Sequence, residues 1–274
     1  MPPRLEPTPC VRGSDAVRAE PTPVAPESRT PRSRLEESPG SRTLPAMTSK
    51  KQLRTYVTND PGYMENGYTV SLRDGGPCWI IDPGYPPQAR KIIAHVREHK
   101  LLPQAILLTH GHLDHIAGVD ALRRDLGDAS TEGAPLPVYL ARAEWDALSD
   151  PEVNLSGFLG LELRTAVRDP RDLVPEETLE LDGTKWRIID TAGHSPGGRS
   201  FYCQELGVVI VGDALFAGSV GRVDFPTSDG QQLLHNLRTH LMSLPDDTQV
   251  LSGHGPETTI GRERTTNPFI LGGF

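Results

Sequence analysis

The 274-residue chain has only three cysteines, Cys10, Cys78 and Cys203, far apart and without any CxxC spacing. That scarcity excludes a disulfide framework and a thiolate zinc site, and it suits a reducing, cytoplasmic compartment. Long apolar runs are missing too, since none approaches the roughly 18 residues of a membrane span. Nor is there a surplus of positive charge: 28 lysines and arginines against 36 acidic residues leave a net charge of −8. Nucleic-acid binders carry a basic stripe, so nucleic acid is excluded as the main partner, and an anionic substrate would need a local basic pocket. No internal repeat is visible.

Aromatic residues are absent from residues 1–46, which hold ten of the 26 prolines, seven arginines and six acidic residues. Such a segment cannot bury enough apolar surface to offset its ordering entropy. It is expected to be a disordered Pro/Arg-rich tail ahead of a single domain spanning 47–274. The tail lacks the apolar core of a secretory signal, and although its arginine and serine content suits an organelle transit peptide, its six acids count against one. N-terminal sequencing separates a translated tail from a start at Met47.

From Leu53 onward the texture changes. Leu53 to Val57, Gly67 to Leu72 and Cys78 to Ile81 are short β-prone runs, and Ala89, Ile92, Ile93 and Val96 predict a helix over Gln88 to Lys100. His95 and His99 lie on that helix opposite the isoleucines and are expected to be solvated, not a metal pair. Ile116 to Leu126 continues as a helix, Pro137 to Leu140 as a strand and Ala141 to Leu148 as a helix. The proline-punctuated region Ser149 to Pro175 has weak periodicity and suits a surface insertion near a site mouth. Asp182-Gly183 joins two strands as a hairpin. Ser200 to Cys203 and Gly207 to Val211 make a second pair, Asp229 to Leu244 an amphipathic helix, and Thr248 to Leu251 a last strand.

Against this background one stretch demands chemistry. Thr109-His110-Gly111-His112-Leu113-Asp114-His115 follows an apolar run and offers four metal-capable side chains within six residues. Buried polar groups need partners, and a metal would be one. Three later apolar strands also end in such a residue, at His194, Asp213 and His254, each beside glycine. Groups gathered beyond strand ends are held by the rigid strands beneath them. Asp82, closing an earlier strand, reads equally well as a support for that site or as a plain turn residue.

Together with Gly193-His194-Ser195-Pro196-Gly197, Gly212-Asp213 and Gly253-His254-Gly255, this stretch resembles the motifs of the metallo-β-lactamase superfamily, from about Leu53 to the C-terminus. The resemblance implies a four-layer αβ/βα sandwich with its site at one edge between two sheets. It further implies one metal on His110, His112 and His194, a second on Asp114, His115 and His254, and Asp213 as the bridge. The donors suit two zinc ions, and iron or manganese are alternatives. Two such ions about 3.5 Å apart would present a hydroxide to a carbonyl carbon, with Asp114 and Asp213 orienting it.

Gly212-Asp213-Ala214-Leu215-Phe216 and Gly221-Arg222-Val223-Asp224-Phe225 are similar to compact glyoxalase II-like enzymes, which cleave hydroxyacyl-glutathione thioesters. That similarity implies a small-molecule thioester substrate and makes Arg222 the residue to pair with a glutathione carboxylate. No dedicated general acid is evident, which also favours a thiolate leaving group over an amine. The chain departs from the larger glyoxalase II enzymes, which carry a C-terminal helical domain supplying much of the glutathione site. The alternative is a persulfide dioxygenase on the same fold, with one iron on His110, His194 and Asp213.

Overall fold

In the computed structural model, which describes residues 52–59, 62, 64–127 and 135–272, strand alternation sorts the apolar side chains into three cores. The expected disordered tail lies outside the described residues. β1 (Arg54–Asn59), β2 (Asn66–Ser71) and β3 (Pro77–Ile81) form an antiparallel meander, extended in parallel by β4 (Leu102–Leu107) and β5 (Val138–Tyr139). β6 (Thr178–Leu181), β7 (Thr184–Asp190), β8 (Arg199–Cys203) and β9 (Val208–Gly212) form a second meander. β10 (Leu215–Phe216) and β11 (Ser219–Val220) make a separate small hairpin. β12 (Gln249–Ser252) then joins β9 in parallel, and β13 (Thr258–Thr259) completes the second sheet.

The helices cover the outer faces. α1 (Pro86–Glu98) crosses over between the parallel strands β3 and β4, and α2 (Leu113–Ile116) and α3 (Val119–Leu126) follow β4. α4 (Gly230–Asn236) packs on the second sheet, and α5 (Ile260–Thr266) and α6 (Pro268–Gly272) end the described chain. On β3, Cys78 and Ile80 face the helices while Trp79 and Ile81 face the other sheet. On β9, Val208 and Ile210 face inward while Val209 and Val211 meet Leu233, Leu237 and Leu241. Between the sheets Trp79 and Trp186 pack edge to face, 5.8 Å between centroids. The result is the expected four-layer αβ/βα sandwich.

Local departures from the sequence reading have local causes. α1 starts earlier, at Pro86, because proline suits a helix's first turn. The helix expected over Ile116 to Leu126 is broken near its start, where Gly118 lies against the carbonyls of Pro83 and Gly84, 2.9 Å from where a Cβ would stand. Arg142–Leu148 is a 3-10 helix, held by Trp145 Nε1 donating to the Leu140 carbonyl at 2.9 Å. Asp229 caps α4 by accepting from the amides of Gln231 and Gln232, but the continuation Leu237–Leu241 widens into a π-helix. The Asp182-Gly183 turn has both residues at positive φ, 47° and 75°, the geometry that suits a two-residue hairpin. His95 and His99 are partly exposed, His95 stacked on Tyr56 at 3.9 Å and His99 bonded to Asp74 at 3.0 Å.

Candidate metal centre

Five strand ends converge on one edge of the sandwich. β3 ends in Asp82; β4 leads to His110 and His112 and then to Asp114 and His115 on α2; β7, β9 and β12 lead to His194, Asp213 and His254. The two sheets are stitched together there. The Asn66 amide donates to the Gly253 carbonyl at 2.7 Å, its side chain reaches the Ser252 and Gly255 carbonyls, and the Tyr68 hydroxyl donates to Ser252 at 2.7 Å. Gly253 has to be glycine, because a Cβ would collide with Asp213 Oδ1 and sit 2.9 Å from the His115 ring.

All seven sequence-predicted side chains come together in three overlapping groups whose donor atoms lie within 4.8 Å of one another: His110, His112 and His194; His110, His115 and Asp213; and Asp114, His115 and His254. Asp213 is central, with its oxygens 3.4 Å from His115 Nε2, 3.7 Å from His194 Nε2 and 3.4 Å from His254 Nε2. His254 Nε2 is also 3.4 Å from Asp114.

Surrounding hydrogen bonds decide which nitrogen each ring turns inward. Asp82 accepts from the Thr109 amide at 2.8 Å, the Thr109 hydroxyl at 2.6 Å and His115 Nδ1 at 3.0 Å. Because the Thr109 hydroxyl gives its proton to Asp82, it accepts from His110 Nδ1 at 3.0 Å. The Arg222 carbonyl accepts from His194 Nδ1 at 2.8 Å. His110 and His194 therefore present bare Nε2 atoms to the site, a tautomer assignment that follows from the network, and His115 turns its Nε2 inward as well. His110 Nε2 and His194 Nε2 each face His112 Nδ1 at 3.0 Å. One proton on His112 could satisfy only one of them, while a cation among the three would satisfy all. His115 Nε2 and Asp213 Oδ1 are buried without a hydrogen bond, so the donor set fits divalent ions.

Charge reinforces this arrangement. Burial, helped by the neighbouring imidazoles, holds His110 well below the usual histidine range and lowers His112 to about 3, so both rings are neutral. Burial works against a charged His115, yet the carboxylates of Asp213, Asp82 and Asp114 outweigh it and hold the ring well above its usual range. Burial likewise opposes a charged His254, but hydrogen bonds to Asp114 and Asp213 raise it to about 10. Asp213 is held low, against burial, by His115 and His254.

Arg222 lies beside the cluster, but its guanidinium is exposed, bonds Asp224 at 2.9 and 2.8 Å, and stacks over Phe225 at 4.6 Å. Only its carbonyl touches the site, through His194. Above the cluster opens a cavity of about 700 Å³. The irregular stretch after Ser149 does reach the site mouth, as Leu155, Phe158 and Leu159 line this cavity.

Sequence reasoning missed two buried carboxyls. Glu65 accepts from Gln88 Nε2 at 2.7 Å and lies 4.0 Å from His115; burial pushes it well above the carboxylate range, His115 pulls the other way, and Asp82 adds to the rise. Glu144 accepts from the Gly197 amide at 2.7 Å and abuts Gly111, tying the His110 loop to the His194 loop. A lone glutamate in a short helix gives no signal of this. Phe158-Leu159 was findable, as a bulky apolar pair in a segment without periodicity.

Comparison with known proteins agrees with this geometry. Residues 63–254 match the model of the metallo-beta-lactamase superfamily. The chain is 40% identical, over 71% of its length and 88% of the relative, to the probable metallo-hydrolase YqgX of Bacillus subtilis. It is 35% identical, over 70% of its length and 86% of the relative, to the hydroxyacylglutathione hydrolase GloC of Haemophilus influenzae. The crystal structure of TTHA1623 in a di-iron-bound form superposes with a TM-score of 0.65 at 38% identity, covering 78% of this chain and 98% of that one.

Proposed function

Because the chain belongs to the metallo-beta-lactamase superfamily, we propose that it is a dinuclear metallohydrolase acting on a small-molecule thioester. One observation carries this reading: three imidazole nitrogens converge at 3.0 Å contacts that no arrangement of protons satisfies, next to a second group of donors sharing Asp213. His110, His112 and His194 would hold one ion, Asp114, His115 and His254 the other, with Asp213 between them. Divalent ions bound there supply Lewis acidity and an activated water for attack on a carbonyl. The likeness to a di-iron-bound protein supports a site for two ions; zinc, iron and manganese all accept these donors.

The chain's own residues do the positioning. Asp82 orients His115, and through Thr109 it also orients His110, while the Arg222 carbonyl fixes His194. Outer partners of this kind hold ligand rings in the binding tautomer. The cavity offers no independent proton donor. Among its described lining residues, the only carboxyl outside the cluster is Asp224, committed to Arg222. An amine cannot leave without a proton, whereas a thiol with a pKa of about 8.5 can leave as the thiolate. Thioesters therefore suit the site better than amides, and the relative named as a hydroxyacylglutathione hydrolase supports the same class.

The test is to strip the protein, reload it with zinc, iron or manganese, and measure bound metal together with cleavage of thioesters and of a β-lactam. Two ions per chain and thioester cleavage that is lost in His112→Ala are expected. A single bound iron with persulfide-dependent oxygen uptake would replace the hydrolase with the dioxygenase.

A further inference from the structure

The cavity over the candidate metal centre is walled mostly by carbon. Phe158 and Leu159, 64% and 54% exposed, line it with Leu155, Phe216 and Phe225, the last two packed by His254 and by His112 and His194. Contiguous large apolar side chains left open to water mark a binding surface. The volume, about 700 Å³, lies in the roughly 300–1,000 Å³ range of small-molecule sites. Its floor is the cluster itself, through His112, Asp114, His194, Asp213 and His254, so whatever these walls hold is attached to the reacting group.

Charge on the walls points the same way. Arg222 is the only arginine or lysine among the described lining residues, and Asp224 already neutralises it through two hydrogen bonds while Phe225 supports its plane. A glutathione conjugate brings two carboxylates, for which this wall offers no unpaired cation and one opposing carboxylate. An alkyl or aryl arm meets the carbon of Leu155, Phe158, Leu159, Phe216 and Phe225.

Resting on the thioester reading, we propose that the cavity selects the apolar arm of its substrate, so that the preferred class is a neutral thioester with a medium-length hydrocarbon chain and not a dicarboxylate such as a glutathione conjugate. Phe158 and Leu159 are the specificity-determining residues. Each methylene moved from water into such a wall strengthens binding by up to about fourfold.

The experiment has a binding arm and a turnover arm, both on the metal-loaded full chain. Calorimetry with S-ethyl, S-butyl, S-hexyl and S-octyl N-acetylcysteamine, thioethers that cannot be hydrolysed, reads the pocket alone. Kd is expected to fall at least about tenfold from ethyl to hexyl, and Phe158→Ser, at an exposed position that folding does not need, is expected to flatten the series. In turnover, hexanoyl N-acetylcysteamine should exceed both its acetyl homologue and S-lactoylglutathione in kcat/KM. Binding indifferent to chain length overturns the proposal. So does a higher kcat/KM for S-lactoylglutathione than for hexanoyl N-acetylcysteamine, or a Phe158→Ser change that acts only by splitting a dimer. Chain-length-dependent binding without cleavage of any thioester would keep the pocket and remove the hydrolase.

Discussion

Asp82 sits at φ 47°, in the left-handed region that aspartate and asparagine tolerate better than other side chains. From there its two oxygens reach the Thr109 amide, the Thr109 hydroxyl and His115. The strand-ending turn and the support of the site, which the sequence could not separate, are one feature. Asp82→Asn keeps shape and backbone but turns an amide donor toward groups that donate. Metal affinity is expected to fall about 10–100-fold with the far-UV spectrum unchanged, measured by competition with a chromophoric chelator; unchanged affinity would reduce Asp82 to a turn. His254 makes a second prediction at this scale. Its pKa, raised to about 10 by Asp114 and Asp213, means that the metal-free ring is charged at neutral pH, whereas a metal takes only the neutral ring. Metal binding at pH 7.5 should therefore release protons, and apparent affinity should climb with pH up to about 10. Calorimetry in buffers of different ionisation enthalpy measures the release.

At the scale of elements, the Asp229 side chain caps α4 with two hydrogen bonds from the amides of Gln231 and Gln232, while its own amide, which any residue there keeps, donates to the Gly193 carbonyl beside His194. Asp229→Ala should cost about 1 kcal/mol, a fall in Tm of roughly 2–4 °C, with metal content unchanged; calorimetric melting with metal analysis checks both. The metal donors were legible because each lies next in sequence to the strand end it serves. What was illegible depends on distant partners. At the break between α2 and α3, Gly118 packs against the carbonyls of Pro83 and Gly84, where a side chain would not fit, and no helical periodicity records that. Glu65 and Glu144 show nothing in their own segments, since their meaning lies in Gln88 and His115 for one and in Gly197 and Gly111 for the other. The Gln88 contact invites its own test. Gln88→Leu removes the donor to Glu65 and to the Thr58 carbonyl, leaving a buried carboxyl unpaired at a cost of about 1–3 kcal/mol, read as a lowered denaturant midpoint.

On the scale of the whole molecule, the donors are divided between the two halves of the sandwich. The first sheet and its helix supply His110, His112, Asp114 and His115; the second sheet supplies His194, Asp213 and His254. Ions at this edge would bind the folded chain and not the unfolded one, so they act as a staple between the sheets, worth about 4 kcal/mol at a thousandfold excess over Kd and roughly 10 °C in Tm. The metal-free protein has a weaker substitute in the ion pairs of His115 and His254 with Asp213. Because the His254 pKa is raised on folding, that substitute is complete below about pH 6.5 and fades as pH rises toward about 10. Over the same interval metal affinity grows. The difference in Tm between loaded and chelated protein should therefore widen steadily from pH 6.5 to 9, with the chelated form alone losing amide-exchange protection at Asn66, whose amide crosses to the Gly253 carbonyl of the other sheet. Scanning calorimetry across that range, with hydrogen exchange at its two ends, measures both; a gap that stays constant would mean that His254 takes no part in holding the second ion.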